Sequence, residues 1–214
     1  WVIFHASEYN IRVVNLSIAA DSTESFLTDP LCRAVRAATA AGLVVVTSAG
    51  NFGRDAKGVE TFGTIASPGN DPTVITVGSA NTKATVDRVD DVVNNFSSRG
   101  PTRGSALAPS GKRVFDNLLK PDLVAPGNKI AGAAASSSQQ TLDALARSNP
   151  SLVADFGGPV QPYNQGLKYL SGTSVAAPAV SGAVALMLQA NPGLTAPMIK
   201  AILQFTAQPL PGHG

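Results

Sequence analysis

The chain has 214 residues, 44% of them hydrophobic and 14% charged, which supplies material for one core and excludes a disordered polyelectrolyte. Its 16 basic and 14 acidic residues leave a formal charge of +2 with no basic run, which argues against a nucleic-acid partner. A single cysteine, Cys32, excludes an internal disulfide and a cysteine-based zinc cluster. No uninterrupted apolar run reaches the roughly 18 residues of a membrane span, and no signal peptide opens the sequence. The chain starts at Trp1, and its methionines are Met187 and Met198, so it reads as a piece of something longer.

Residues 11–17 (IRVVNLS) are β-branched and nearly continuous, the pattern of a strand buried on both faces. A helix is expected over 30–41, with Asp29 as N-cap, Pro30 in the first helical position and Gly42 at the stop. Residues 43–48 (LVVVTS) form a second buried strand that runs into Ala49-Gly50-Asn51. A third strand is expected over 73–77, ended by Gly78, and a short fourth over 123–125, stopped by Pro126-Gly127. This alternation predicts an α/β domain with a mostly parallel sheet. Residues 131–166 differ in character, with a small polar run, a possible short helix in QTLDALARSNP and a loop at 157–159; they read as a surface insertion. Residues 174–189 are the most apolar stretch, interrupted by Pro178 and Gly182 and too short for a bilayer. Hydrophobic nearly all round, they predict a helix through the domain centre. A last helix is expected over 196–206, capped by Thr195, and no internal repeat is found.

Three short segments can carry chemistry. Ser171-Gly172-Thr173-Ser174-Val175-Ala176-Ala177-Pro178 places a serine where the apolar helix begins. A nucleophile there gains a tight turn at Gly172, unpaired N–H groups and the positive end of the helix dipole. The alternative is that Thr173 or Ser174 caps the helix. The G-x-S-x-G elbow of α/β-hydrolases is absent. Ser48-Ala49-Gly50-Asn51 ends a buried strand with an amide that could donate to an oxyanion, or simply form an asparagine turn. Asn15-Leu16-Ser17-Ile18-Ala19 could pair with an extended peptide or be an ordinary core strand.

Together these segments resemble the subtilisin-like serine protease family. VVNLSIA resembles its substrate-pairing strand, VVVTSAGN its oxyanion-asparagine strand, and YLSGTSVAAPAVSGAVALML its nucleophile helix, while NFSSRGP and LKPDLVAPG resemble two linked landmarks. They occur in family order and leave only 131–166 outside the match. The SSRGP and LKPDLVAPG forms are similar to those of the larger, multidomain subtilases. The resemblance implies a three-layer, mostly parallel sheet flanked by helices, incomplete on its N-terminal side. It implies Ser174 as nucleophile and Asn51 as oxyanion donor together with the Ser174 backbone N–H. It also implies a polypeptide substrate lying between Ser17-Ile18-Ala19 and Ser48-Ala49-Gly50, with room for the P1 side chain left by Ala19 and Gly50. Family members usually carry glycine where Ala19 stands.

The family's aspartate and histidine motifs do not occur in this chain, and both would precede Trp1. His5 and His213 lack the motif that surrounds the base, and Asp21 and Asp29 lack that of the acid. A serine hydroxyl is a poor nucleophile without a base. In subtilisin itself, losing the triad lowers kcat by about 2 × 10⁶. The isolated chain is therefore expected to be inactive, as the C-terminal portion of one endopeptidase catalytic domain. The competing reading is an inactive relative that binds peptides or acts as a scaffold. The absent N-terminal part would adjoin the 11–17 strand, so the isolated chain is expected to expose that edge and self-associate. Secretion is implied by the family, and no organic cofactor is expected. Family members often bind calcium, for which Asp87, Asp90 and Asp91 form the one close carboxylate group, read here as a solvated turn. A generic nucleotide binder is excluded by the lack of any glycine-rich phosphate loop. Cys32 reads as a packed or partly exposed thiol, and Asn15 and Asn95 head glycosylation sequons, the first within a buried strand.

Overall fold

The computed structural model describes residues 1–134, 138–153 and 166–210. A single helical turn, α1 (Val2–His5), opens the chain. Its His5 Nδ1 lies 2.7 Å from Glu8 Oε2, and its ring packs against Trp1, Phe4 and Tyr9. Strand β1 (Val13–Leu16) is shorter than its sequence pattern and only half-buried. The reason is its place at the end of the sheet, where it pairs with one neighbour instead of two. Asn15 is exposed on it, which corrects the expectation of a buried sequon.

Helix α2 (Pro30–Ala40) begins as expected, with Asp29 Oδ1 accepting from the N–H groups of Leu31 (2.9 Å) and Cys32 (3.1 Å). Just past its end, Gly42 takes φ +88° and donates its N–H to Thr39 O, the left-handed stop that glycine tolerates. Cys32 is fully buried and its Sγ donates to Asn70 Oδ1 at 3.0 Å. Burial pushes its pKa up to about 12, so the thiol is packed and unreactive.

Strands β2 (Val44–Ser48) and β3 (Ile75–Asn81) form the buried centre of the sheet. β3 continues through Gly78, contrary to the expected stop. A side chain there would meet Pro121, Ser97 and Val124, each at 3.0 Å, so the glycine serves close packing within the strand. Three short strands lacked a sequence signal: β4 (Val92–Val93), β5 (Ser105–Leu107) and β6 (Arg113–Phe115), the last two forming a hairpin. Strand β7 (Leu123–Pro126) pairs in parallel with β3. β1, β2, β3 and β7 are thus successive parallel strands, and β4 lies antiparallel against the end of β3.

Strands β8 (Ile130–Ala133) and β9 (Leu167–Leu170) form an antiparallel ribbon. Between them lie α3 (Gln139–Ser148), on the expected short helix, and a 3-10 turn at Pro150–Leu152. The loop expected at 157–159 and the tail with His213 lie outside the described residues. Helix α4 (Thr173–Ala190) and helix α5 (Ala196–Thr206) complete the fold. Thr195 precedes α5 as expected, but its side chain makes no capping bond.

Alternate side chains divide the sheet between two helical layers. Val44, Val46, Ile75, Val77 and Ala125 pack on α4 and α5, while Val45 and Val74 pack on Val35 of α2. The result is the expected three-layer α/β arrangement. α4 is not buried all round, however. Thr173, Ala176, Ala177, Val180, Val184 and Leu188 form one buried stripe, whereas Ala179, Ala183 and Leu186 are exposed. Its 18 residues and mean hydropathy of 1.4 make it long and apolar enough to cross a membrane by those two measures alone, contrary to the reading from sequence. The buried stripe is committed to the sheet.

Candidate active site

The C-terminal ends of β1 and β2 lie side by side, with Leu16 opposite Thr47, which brings residues 17–19 and 48–51 together. Ser48 Oγ donates to Ile18 O at 3.0 Å. Ala20 and Ser67 exchange two backbone hydrogen bonds of 2.9 Å, fixing the far end of the 17–19 segment. Ile18 and Ala19 remain exposed, Ser17 is half-buried, and Ser48, Ala49 and Gly50 are buried.

Gly50 takes φ +102°, and a Cβ there would lie 2.9 Å from Ser98 Oγ, 3.1 Å from Ala66 Cβ and 3.2 Å from Phe52. The glycine is demanded by backbone conformation and close packing.

Asn51 is exposed, but its amide is oriented. Oδ1 accepts from Thr173 N (2.9 Å) and from Thr173 Oγ1 (3.0 Å), and Thr173 Oγ1 in turn accepts from Gly50 N at 3.2 Å. With Oδ1 held against the start of α4, Nδ2 is left as the outward donor. A carbon built on Gly172 would lie 3.5 Å from Asn51 Nδ2 and 3.7 Å from Ser174 N. Both nitrogens therefore lie near one position in front of Gly172, with Asn51 Oδ1 slightly farther off at 3.8 Å.

The first turn of α4 keeps that second donor available. Gly172, at φ +153°, is the N-cap and makes no side-chain capping bond, so neither Thr173 nor Ser174 caps the helix. Gly172 O accepts from Val175 N and Ala176 N, and Thr173 N is taken by Asn51. Ser174 N has no hydrogen-bond partner among the described residues. The positive end of an 18-residue helix favours negative charge there. Gly172 N donates to Gly127 O at 2.9 Å, which ties the Pro126-Gly127 turn to this site.

Ser174 is half-buried. Its Oγ makes one long contact, 3.4 Å to Ser17 O, while Ser17 Oγ donates to Ser174 O at 2.8 Å. No imidazole or carboxylate bonds to Ser174 or Asn51 among the described residues, and His5 is engaged by Glu8. The structure thus gathers Ser174, Asn51, Ser17, Ile18, Ala19 and residues 48–50 at one end of the sheet. The contact of Thr173 with Asn51 is the feature of this site that sequence reasoning missed. The Thr173 hydroxyl works through a contact 122 positions away, for which no local signal exists.

A groove of about 810 Å³ lies elsewhere, between β4, β7 and the end of α5, and none of these site residues lines it. Around Asp87, Asp90 and Asp91, the carboxylates bond to Val89 N, Thr85 Oγ1 and Arg88. No group of three or more histidine, cysteine or acidic side chains could hold a metal among the described residues.

A parallel three-layer sheet with a serine and an oriented amide at one end of its strands defines a protein of the subtilisin fold. Among solved structures, Sphericase superposes with a TM-score of 0.62 at 22% identity, covering 96% of this chain and 52% of that one. A cold adapted subtilisin-like serine proteinase superposes with a TM-score of 0.55 at 26% identity, covering 94% and 50%. The sequence model of the Subtilase family, Peptidase S8, matches residues 2–214, and the chain belongs to that family. Serine protease AprX of Bacillus subtilis (strain 168) is 37% identical over 198 residues, 91% of this chain and 37% of that protein. Subtilisin-like protease SBT2.4 of Arabidopsis thaliana is 34% identical over 164 residues, 75% and 16% of the respective chains. The chain thus spans about half or less of the relatives it matches.

Proposed function

We propose that residues 1–214 form the C-terminal portion of one subtilase catalytic domain, within a serine endopeptidase that cleaves peptide bonds through an acyl-enzyme on Ser174. The observation that carries this reading is the approach of Asn51 Nδ2 and Ser174 N to one position in front of Gly172, with the Ser174 side chain turned toward Ser17 O of the adjoining 17–19 segment. In the reaction Ser174 Oγ bonds to the scissile carbonyl carbon, and its proton passes to a base. The carbonyl oxygen becomes an oxyanion held by Asn51 Nδ2, Ser174 N and the α4 dipole. The polypeptide substrate lies along Ser17-Ile18-Ala19, with the backbone of Ser48-Ala49-Gly50 as the opposite wall. When the amine leaves, the base returns the proton to it, and water then releases the acyl group.

The base and its orienting acid belong to the missing N-terminal part of the same domain. Two features support that partner: β1 has one free edge, and α4 turns Ala179, Ala183 and Leu186 outward. The complete enzyme is secreted or extracytoplasmic, in keeping with its family.

The isolated chain is expected to show no turnover of casein or of a chromogenic peptide. Robust turnover abolished by Ser174→Ala would mean that the chain supplies its own base and would overturn this part of the reading. The same free edge predicts self-association in the micromolar range by light scattering; a monomer throughout that range would count against it.

A further inference from the structure

At the opposite end of the sheet from Ser174 lies a charged cluster that this chemistry does not use. Lys120 and Asp122 are almost completely buried, with side-chain exposures of 2% and 4%, and Lys200 of α5 is 17% exposed. Lys120 Nζ donates to Asp122 Oδ2 (2.8 Å), Thr76 Oγ1 (2.9 Å) and Val74 O (3.2 Å). Lys200 Nζ lies 3.0 Å from Asp122 Oδ1 and donates to Pro72 O and Val74 O at 2.8 Å each. Asp122 Oδ2 also accepts from Thr76 N at 2.8 Å. Two ammonium groups thus share one carboxylate and one carbonyl in a place that water scarcely reaches.

We propose that Lys120, Asp122 and Lys200 form a pH-dependent clasp, joining the starts of β3 and β7 to α5 and holding most firmly when Lys120 is uncharged. One carboxylate balances only one of the two cations, so the protonated cluster carries a surplus charge against its desolvation. Loss of one proton removes that surplus. A neutral amine keeps two N–H donors, enough for Asp122 and one further acceptor. The charged groups that face Lys120 are Asp122, on its own segment, and Lys200 from α5; β3 contributes only the Thr76 hydroxyl and the segment before it only the Val74 carbonyl.

The direction follows from linkage. Burial, with help from Lys200 and against Asp122, lowers the Lys120 pKa from 10.5 to about 8. The unfolded chain then binds more protons than the folded one between these values, so stability rises as pH climbs through that window. The folding constant gains at most about tenfold per pH unit from one such group. Below pH 8 both states hold the proton and the contribution is flat. The clasp is independent of the protease reading, since it needs neither Ser174 nor a substrate.

The test is urea unfolding of the 214-residue chain at intervals from pH 6 to pH 10.5. The unaltered chain is expected to gain stability above about pH 8, Lys120→Met to lose that gain, and Lys200→Met to reduce it without abolishing it, because burial of Lys120 remains while the opposing cation is gone. A Lys120→Met variant that retains the full gain would overturn the proposal. Should that variant fail to fold, ¹³C NMR titration of the lysine Cε signals in the unaltered chain decides. One signal with a midpoint near pH 8 supports the clasp, and all signals titrating near their ordinary value overturn it.

Discussion

In the complete protease, Ser174→Ala is expected to lower kcat by about 10⁶ while leaving KM almost unchanged, the scale seen for the nucleophile of subtilisin itself. The large effect follows from position. Ser174 stands in the first turn of α4 beside its own unpaired N–H, and its Oγ is detained by nothing stronger than a 3.4 Å contact to Ser17 O. No neighbouring hydroxyl can take its place: Ser17 Oγ is committed to Ser174 O and Thr173 Oγ1 to Asn51. KM is expected to hold because the 17–19 segment, proposed to pair with substrate, stays anchored at Ile18 by Ser48 and through Ala20 by Ser67 when the long Ser174 Oγ contact to Ser17 O is lost. A loss of less than about tenfold in kcat would show that another group attacks the substrate.

Asn51→Leu is expected to cost about 10² to 10³ in kcat, again with little change in KM, because the lost donor acts on charge that exists only in the transition state. Leucine fills a similar volume and offers no N–H. Thr173→Val gives a smaller version of the same phenotype, roughly five- to tenfold, near the worth of one hydrogen bond. Its backbone N–H still holds Asn51 Oδ1 at 2.9 Å, so the amide is loosened without being freed. Steady-state kinetics of both variants check the pair. A rise in KM at constant kcat would place Asn51 in substrate binding and remove it from the oxyanion site.

Much of the architecture was legible because local and global preferences agree. The LVVVTS run could hardly be other than a buried strand, and Asp29-Pro30 with Gly42 marks both ends of α2. Failures fall where tertiary contact overrides local pattern. Gly78 looks like a strand end by propensity, yet the approach of Pro121, Ser97 and Val124 makes it the residue that lets β3 continue. The composition of α4 suggests burial on all sides, but in this chain only one stripe meets the sheet. Ser174 and Asn51 were legible as a pair only through resemblance, since a Gly-Thr-Ser turn or a Gly-Asn turn alone is equally a cap or a loop. The Thr173–Asn51 contact and the approach of Lys200 to the Lys120–Asp122 pair left no sequence mark, because each joins residues distant in the chain.

The most direct measurement is a crystal structure of the complete protease, including the N-terminal part of the catalytic domain, with a peptidyl boronic acid. The account predicts boron bonded to Ser174 Oγ, one boron oxygen within hydrogen-bond distance of both Asn51 Nδ2 and Ser174 N, and the peptide running beside Ser17-Ile18-Ala19. An inhibitor bound with Asn51 turned to present Oδ1, or Ser174 and Asn51 facing separate surfaces, would contradict it.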